Sequence, residues 1–135
     1  MNCISHEVDL TIQEGGTFDR MFRWSVDAVI QDIAGFTGVM QGRKKLADAE
    51  TLVDLPTAAV PWAADGDSGV YVEDDGVDPD TQGWFRVYIN DTDTTGLCES
   101  NKDIEGAYTL FLSSAEGEVV LKMFGKLIIL ASAAR

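Results

Sequence analysis

The run from Glu105 to Leu130, EGAYTLFLSSAEGEVVLKMFGKLIIL, constrains the fold more than any other stretch of the chain. Strand-forming residues fill it between two short interruptions. Ala115-Glu116-Gly117 predicts a turn, and Gly125-Lys126 predicts a second bend. We therefore expect three successive antiparallel strands, which supply much of the core and carry no catalytic residue.

Apolar and polar residues also alternate near the start of the chain, which is the period of a half-buried strand. The first alternating stretch runs from Glu7 to Gln13 and ends at Glu14-Gly15-Gly16. A second runs from Thr17 to Val26, where Phe18, Phe22 and Trp24 share a side with Arg20. Two strands that flank a Gly-Gly turn predict a hairpin.

The middle of the chain predicts further short strands and no long helix. The expected elements are a turn leading into a strand over Asp27 to Gly35, strands over Phe36 to Lys45, Glu50 to Leu55 and Gly83 to Asn90, and one helical turn within Asp91 to Asn101 capped by Asp91 or Thr92. Two glycines in the Phe36 strand indicate a bulge or a close backbone approach. With eight or nine strands, residues 1–135 predict a single all-β domain, an antiparallel β-sandwich of immunoglobulin-like or jelly-roll type.

Residues 56–82 differ in composition from the rest and predict a long acidic loop. No Lys or Arg occurs from Leu46 to Phe85, whereas ten acidic residues lie between Asp48 and Asp80. A small hairpin is expected around Val70-Tyr71-Val72. Long loops in compact domains tend to be functional or disordered.

Calcium is the one cofactor that this acidic loop suggests, because carboxylates are hard oxygen ligands. The spacing does not follow an EF-hand, since Gly69 and Val70 stand where a ligand and the loop glycine belong. A solvated loop without metal is the preferred interpretation. The candidate ligands are Asp65, Asp67, Asp74, Asp75, Asp78 and Asp80.

Charge and cysteine content exclude several classes of partner. The chain has 10 Lys+Arg and 23 Asp+Glu, a net charge of -13, which repels nucleic acid and anionic membranes. Cys3 and Cys98 lack metal-site spacing and predict unpaired thiols in a reducing compartment. No signal peptide is apparent, and the longest apolar run, Leu127 to Ala131, is far too short to span a membrane.

No catalytic motif appears in the sequence. His6 is the single histidine, and no GxSxG, HExxH or GxxxxGK[ST] pattern accompanies it. Because no nucleophile, base and orienting group can be assigned together, the sequence predicts a protein that is not an enzyme.

Several polar steps and turn glycines resemble those of a known group of proteins. Asp32-Ile33-Ala34-Gly35-Phe36 leads into a strand ending in Arg43, Asp93-Thr94-Thr95-Gly96-Leu97 forms a later turn, and Gly106, Tyr108, Gly117 and Gly125 mark the closing strands. Together they resemble small tailed-bacteriophage virion proteins, including the β-sandwich modules at the N-termini of baseplate and tail-fibre components. Such proteins usually carry threonine at the position of Ala34, and they need not share the segment between Pro56 and Gln82.

The resemblance implies a non-enzymatic virion structural protein, an adaptor or accessory component of the tail, baseplate or fibre attachment region. It would assemble in the host cytoplasm, form homo-oligomers within the particle, and dock to tail, portal, fibre or major capsid proteins. Trp62, Tyr71 and Trp84 are candidate interface residues, although each could equally be a core residue. A capsid decoration protein is one alternative. A carbohydrate-binding module that uses the same three aromatics is another.

Overall fold

The structure, a computed structural model, describes residues 4–44, 51–58, 66–98 and 102–131. The described residues form eleven strands and one short helix, which confirms the all-β prediction and exceeds the eight or nine strands expected. In chain order they are β1 (Ile4–Glu7), β2 (Leu10–Gln13), β3 (Phe18–Arg23), β4 (Ser25–Val26), β5 (Val29–Ile30), β6 (Thr37–Arg43), β7 (Val53–Leu55), β8 (Gly69–Val72), β9 (Trp84–Ile89), α1 (Asp91–Thr94), β10 (Ile104–Ser113) and β11 (Val119–Leu130).

The larger sheet has the strand order β1-β11-β10-β6-β7, and β2 also pairs with β11. The pairings among β11, β10, β6 and β7 are antiparallel, as predicted. By contrast, β1 and β2 both run parallel to β11, so the sheet is mixed and not purely antiparallel. The alternation near Glu7 predicts a strand correctly, but it does not indicate whether that strand runs parallel or antiparallel to its neighbour.

The closing run contains two strands where three were predicted. β11 continues through Gly125 without a bend, and its two halves pair with β1 and then with β2. The interruption lies instead between the two partner strands, β1 and β2, at Val8 and Asp9. A Cβ on Gly125 would collide with the carbonyl oxygen of Val8, so the glycine serves a close approach and not a turn.

The smaller sheet has the order β3-β9-β8, and β4 and β5 form a separate hairpin. The hairpin predicted across Gly15-Gly16 is therefore wrong, because β2 pairs with β11 and β3 pairs with β9. Leu10 and Ile12 are fully buried on β2, and this burial against β11 outweighs local pairing. The Gly-Gly turn carries the chain from one sheet to the other.

The centre of the acidic segment is a core strand. All four residues of β8 are buried, and β8 pairs antiparallel with β9, so Val70-Tyr71-Val72 belongs to a hairpin with the following strand. Val70 also contacts the other sheet, where a Cβ on Gly38 would lie 2.5 Å from its Cγ1. The close approach predicted for the β6 glycines is thus present. The described part of the acidic loop that follows this strand runs from β8 to β9.

Both sheets contribute to one hydrophobic core, in which Leu110 and Leu127 of the larger sheet and Val70 and Val87 of the smaller are fully buried. That the two sheets form an immunoglobulin-like or a jelly-roll sandwich stays a prediction. The β4–β5 hairpin turns at Asp27 and Ala28, both with positive φ.

The helical turn predicted after β9 is present as α1. It is capped one residue earlier than expected, by Asn90, whose side chain accepts a hydrogen bond from the Thr92 amide. Within the described ranges, no helix has the length and apolar character needed to cross a membrane.

Candidate functional site

A groove opens between the edge of one sheet and the edge of the other. β1 ends the larger sheet and β3 ends the smaller one, and a cavity of about 240 Å³ lies between them. We call this cavity the edge groove. Its lining residues are His6, Glu7, Val8, Phe22, Arg23, Trp24, Ser25, Phe85, Leu121 and Met123.

The floor of the edge groove is apolar. Phe85, Leu121 and Met123 are buried on β9 and β11, and they belong to the common core. Phe22 of β3 stacks on Phe85 with ring centroids 5.4 Å apart, so the half-buried ring of Phe22 extends the floor toward solvent. A ligand in this groove would contact apolar side chains from both sheets.

Trp24 adds an unused polar group to this apolar site. Its main chain is fixed, since its N–H donates to Gly83 (2.9 Å) and its carbonyl accepts from Gln31 (3.0 Å). The side chain is only 7% exposed, and its Nε1 has no acceptor among the described residues. An unpaired buried donor costs about 1 to 3 kcal/mol. The Nε1 atom is itself enclosed, so the indole contributes apolar surface to the groove.

The rim of the edge groove is polar and exposed. Arg23 is held over the Trp84 ring, and its guanidinium donates to the carbonyls of Gln82 (2.9 Å) and Pro79 (3.3 Å). His6 and Ser25 lie on opposite walls, and no hydrogen bond joins these two described residues. The rim therefore places polar and charged groups around an apolar floor.

The outer edge of β3 has no strand partner among the residues that the structure describes. The Trp24 amide points toward β9, where it bonds to Gly83. Because backbone groups alternate in direction along an antiparallel strand, the N–H and C=O groups of Asp19, Met21 and Arg23 point outward. Such a row can pair with another chain.

Arg86 fixes β3 against its own sheet. Its guanidinium donates to both carboxylate oxygens of Asp19, at 2.6 and 2.8 Å, and to Glu73 at 3.0 Å. Burial alone would lower the pKa of Arg86, but the hydrogen bonds that it donates to Glu73 and Asp19 outweigh burial and raise the pKa. The arginine is therefore a permanent cation that joins β3, β9 and the end of β8.

The acidic loop uses the carboxylate of Asp74 to hold its own backbone and that of a neighbouring segment. Asp74 is 6% exposed, and it accepts hydrogen bonds from the amides of Ile33 (2.9 Å), Gly83 (3.0 Å) and Gly76 (3.0 Å). Burial raises the pKa of Asp74, yet the three amide donors together outweigh burial and hold the pKa below its ordinary value. Asp74 thus ties the loop to the segment before β6.

Asp75 and Asp78 have a similar internal role. Asp75 accepts from the amides of Asp78 and Val77, both at 2.8 Å, and these bonds lower its pKa. Asp78 accepts from the Asp80 amide at 2.9 Å. Among the described residues no three acidic, histidine or cysteine side chains form a group that could hold a metal ion. Of the other calcium candidates, Asp67 is exposed and Asp65 lies outside the described residues.

Of the predicted interface aromatics, the two described ones, Tyr71 and Trp84, do not line the edge groove. Tyr71 is 5% exposed and its hydroxyl donates to the Asp67 carbonyl (2.6 Å), whereas Trp84 is half-buried beneath Arg23. Trp62 lies outside the described residues. The sequence did not single out the groove, although the shared side of Phe22 and Trp24 was the signal that could have identified it.

The one described cysteine is structural. Cys98 is buried and free, its amide donates to the Glu14 carboxylate at 2.6 Å, and burial raises its pKa. Cys3 lies outside the described residues, so the prediction of two unpaired thiols is not addressed for it.

Comparison of the chain with protein-family models and with curated proteins gives no match.

Proposed function

We propose that this chain is a non-enzymatic structural protein of a tailed-bacteriophage particle. In this role it is an adaptor or accessory component of the tail, baseplate or fibre attachment region, assembled in the host cytoplasm. It docks to other virion proteins by protein–protein contacts. The observation that carries the docking role is the open edge of β3 beside the apolar edge groove.

An open edge beside a groove suits the binding of an extended segment. Main-chain hydrogen bonds to the edge strand supply affinity, and adjacent pockets for alternate side chains supply specificity. Here the outward backbone groups of β3 can form the main-chain hydrogen bonds. The apolar floor of Phe22, Phe85 and Leu121 can receive side chains of the bound segment.

The particle role is tested by locating the protein in purified virions. Mass spectrometry should detect the chain in particles banded by density, and immunogold labelling should place it on the tail. Gold distributed over the shell would favour the alternative of a capsid decoration protein. Absence of the chain from purified particles would overturn the virion proposal in both forms.

The docking site is tested by filling the edge groove from its rim. Ser25 is exposed, so Ser25→Trp can place an indole in the groove mouth without entering the core. We expect incorporation of this variant into particles to fall at least tenfold. Thr37→Trp, at an exposed position of β6, is the matched control and should incorporate normally. Equal incorporation of both variants would exclude the groove as the docking site.

A further inference from the structure

We propose that β3 pairs with β3 of a second copy of this chain, antiparallel about a two-fold axis that passes beside Met21. This inference rests on the proposed docking role and names one partner for it. The pairing would join two three-stranded sheets into one six-stranded sheet across the dimer. A two-fold contact of this kind is closed, because each copy uses the same surface.

The backbone of β3 meets the first requirement. Asp19, Met21 and Arg23 direct their N–H and C=O groups away from β9, as the Trp24–Gly83 bond establishes by alternation. Two antiparallel strands can therefore exchange hydrogen bonds at Met21 opposite Met21 of the second copy. The flanking hydrogen-bonded pairs are then Asp19 opposite Arg23, once on each side of the axis.

Charge selects this register over its neighbours. A register centred on Arg20 places two guanidinium groups directly opposite each other, which is unfavourable. A register centred on Phe22 sets Arg23 opposite Met21 and leaves Asp19 without a cation across the axis. Only the register centred on Met21 sets acid opposite base at both flanking positions.

The other face of β3 is complementary in the same register. Arg20 comes to lie opposite Phe22 of the second copy, and within one chain Arg20 already lies 4.9 Å from the centre of the Phe22 ring. Charged residues on an edge strand usually prevent pairing. In β3, Asp19 and Arg23 have opposite charges and lie equally far from Met21, while Arg20 faces the neutral Phe22, so a second copy of β3 meets no like charge in this register.

Net charge sets the conditions for observing the dimer. Each copy carries a charge of -13, so long-range repulsion opposes association at low salt. At about 0.3 M salt the Debye length falls well below 10 Å, and the repulsion is screened while close contacts persist. We therefore expect the dimer fraction to rise with salt.

The test is sedimentation equilibrium of the full chain at about 100 μM in about 0.3 M salt, which detects dimers with a Kd up to roughly that concentration. Arg23→Glu alone and Asp19→Arg alone each set like charges opposite one another, and each should be monomeric. Mixed in equal amounts, the two variants restore opposite charges at both positions. The mixture should therefore sediment as a one-to-one dimer.

A second pair of variants keeps the test decisive if a charge variant does not fold. Met21→Pro removes the outward N–H at the axis, and proline is tolerated on an edge strand where its nitrogen faces solvent. It should weaken the dimer at least tenfold, whereas Met21→Leu should retain it. A monomeric native chain, a monomeric mixture of two folded charge variants, or equal dimerisation of the two Met21 variants would overturn the inference. None of these results bears on whether the protein is found in virions.

Discussion

The Tyr108 hydroxyl donates a hydrogen bond to the backbone carbonyl of Val8, at the point where the parallel partner of β11 changes from β1 to β2. The Val8 amide bonds to Phe124 (2.8 Å), and the Asp9 carboxylate accepts from the Lys126 amide (3.0 Å). The break between β1 and β2 is thus held by the two longest strands. Burial raises the pKa of Tyr108, so its hydroxyl remains a donor through the physiological range.

Tyr108→Phe should destabilise the fold because it leaves the Val8 carbonyl without this donor. Tyr108 is only 1% exposed, so water cannot readily take the place of its hydroxyl. We expect the free energy of unfolding to fall by about 1 to 3 kcal/mol, measured by urea denaturation.

Tyr71→Phe is the matched comparison for that measurement. It removes a hydroxyl that donates to the Asp67 carbonyl, but Asp67 is exposed and its carbonyl can bond to water instead. The loss should therefore be smaller than for Tyr108→Phe. Equal losses, or no loss at Tyr108, would contradict the role given to the Tyr108–Val8 bond.

Gly125→Ala should destabilise the same junction by a steric effect. The new Cβ would meet the carbonyl oxygen of Val8, a backbone atom that cannot move aside without disturbing both parallel pairings. Overpacking of this kind costs about 1 to 3 kcal/mol. Thermal denaturation would report the change. Gly16→Ala is the control, since its nearest neighbour is the Gln13 carbonyl at 3.4 Å and little change is expected. A similar melting temperature for both variants would be inconsistent with the close approach.

Alternation predicted the strands well because it reports which side chains are buried together. Alternation predicts the stretches around β6, β9 and β10. The buried residues of β6 and β10 follow the expected period of two, whereas Val87, Tyr88 and Ile89 of the central strand β9 are all buried. Partners were not predictable in the same way. Gly125 was interpreted as a bend because glycine tolerates turns, whereas its lack of a side chain serves a contact with Val8, 117 positions earlier in the chain. Such a contact leaves no local signature.

The candidate site was less predictable than the fold. The edge groove is formed by β1, β3, β9 and β11, and its walls come together only after the two sheets have packed. Alternation places Phe22 and Trp24 on the same side of a strand, but it gives no reason to prefer them over Trp84 as residues of a binding site. The aspartates of the acidic loop predict a cation site. In the structure, however, Asp74 accepts hydrogen bonds from three backbone amides, which come together only in the folded chain.

Calcium should not bind the acidic loop with useful affinity. The carboxylates of Asp74 and Asp75 already accept backbone amides, so a cation would have to displace those hydrogen bonds. Calorimetric titration of metal-free protein should show no saturable heat up to about 1 mM calcium, the weak end of calcium sites in proteins. If saturable heat appears, its loss in Asp75→Asn would assign the site to this loop and refute the prediction.

Asp74 should make the stability of the protein depend on pH in the acid range. Its pKa in the folded state is lowered from an unfolded value of about 3.9, so the folded protein favours the ionised form. The stabilisation is complete above the unfolded pKa and is lost as the pH falls through the folded pKa. Asp74→Asn removes this titration. It also replaces one accepting oxygen with an NH2 group, which faces a backbone N–H and cannot accept its hydrogen bond.

The variant should therefore lose about 2 to 4 kcal/mol of unfolding free energy at pH 7, measured by urea denaturation, with a smaller difference from the native chain below about pH 4. Asp80→Asn is the control, because Asp80 is exposed and its carboxylate accepts no hydrogen bond from described residues. Its unfolding curve should follow that of the native chain at every pH. A difference at Asp74 that stays constant from pH 7 to pH 3 would show that the three amide bonds do not depend on the charge of the carboxylate.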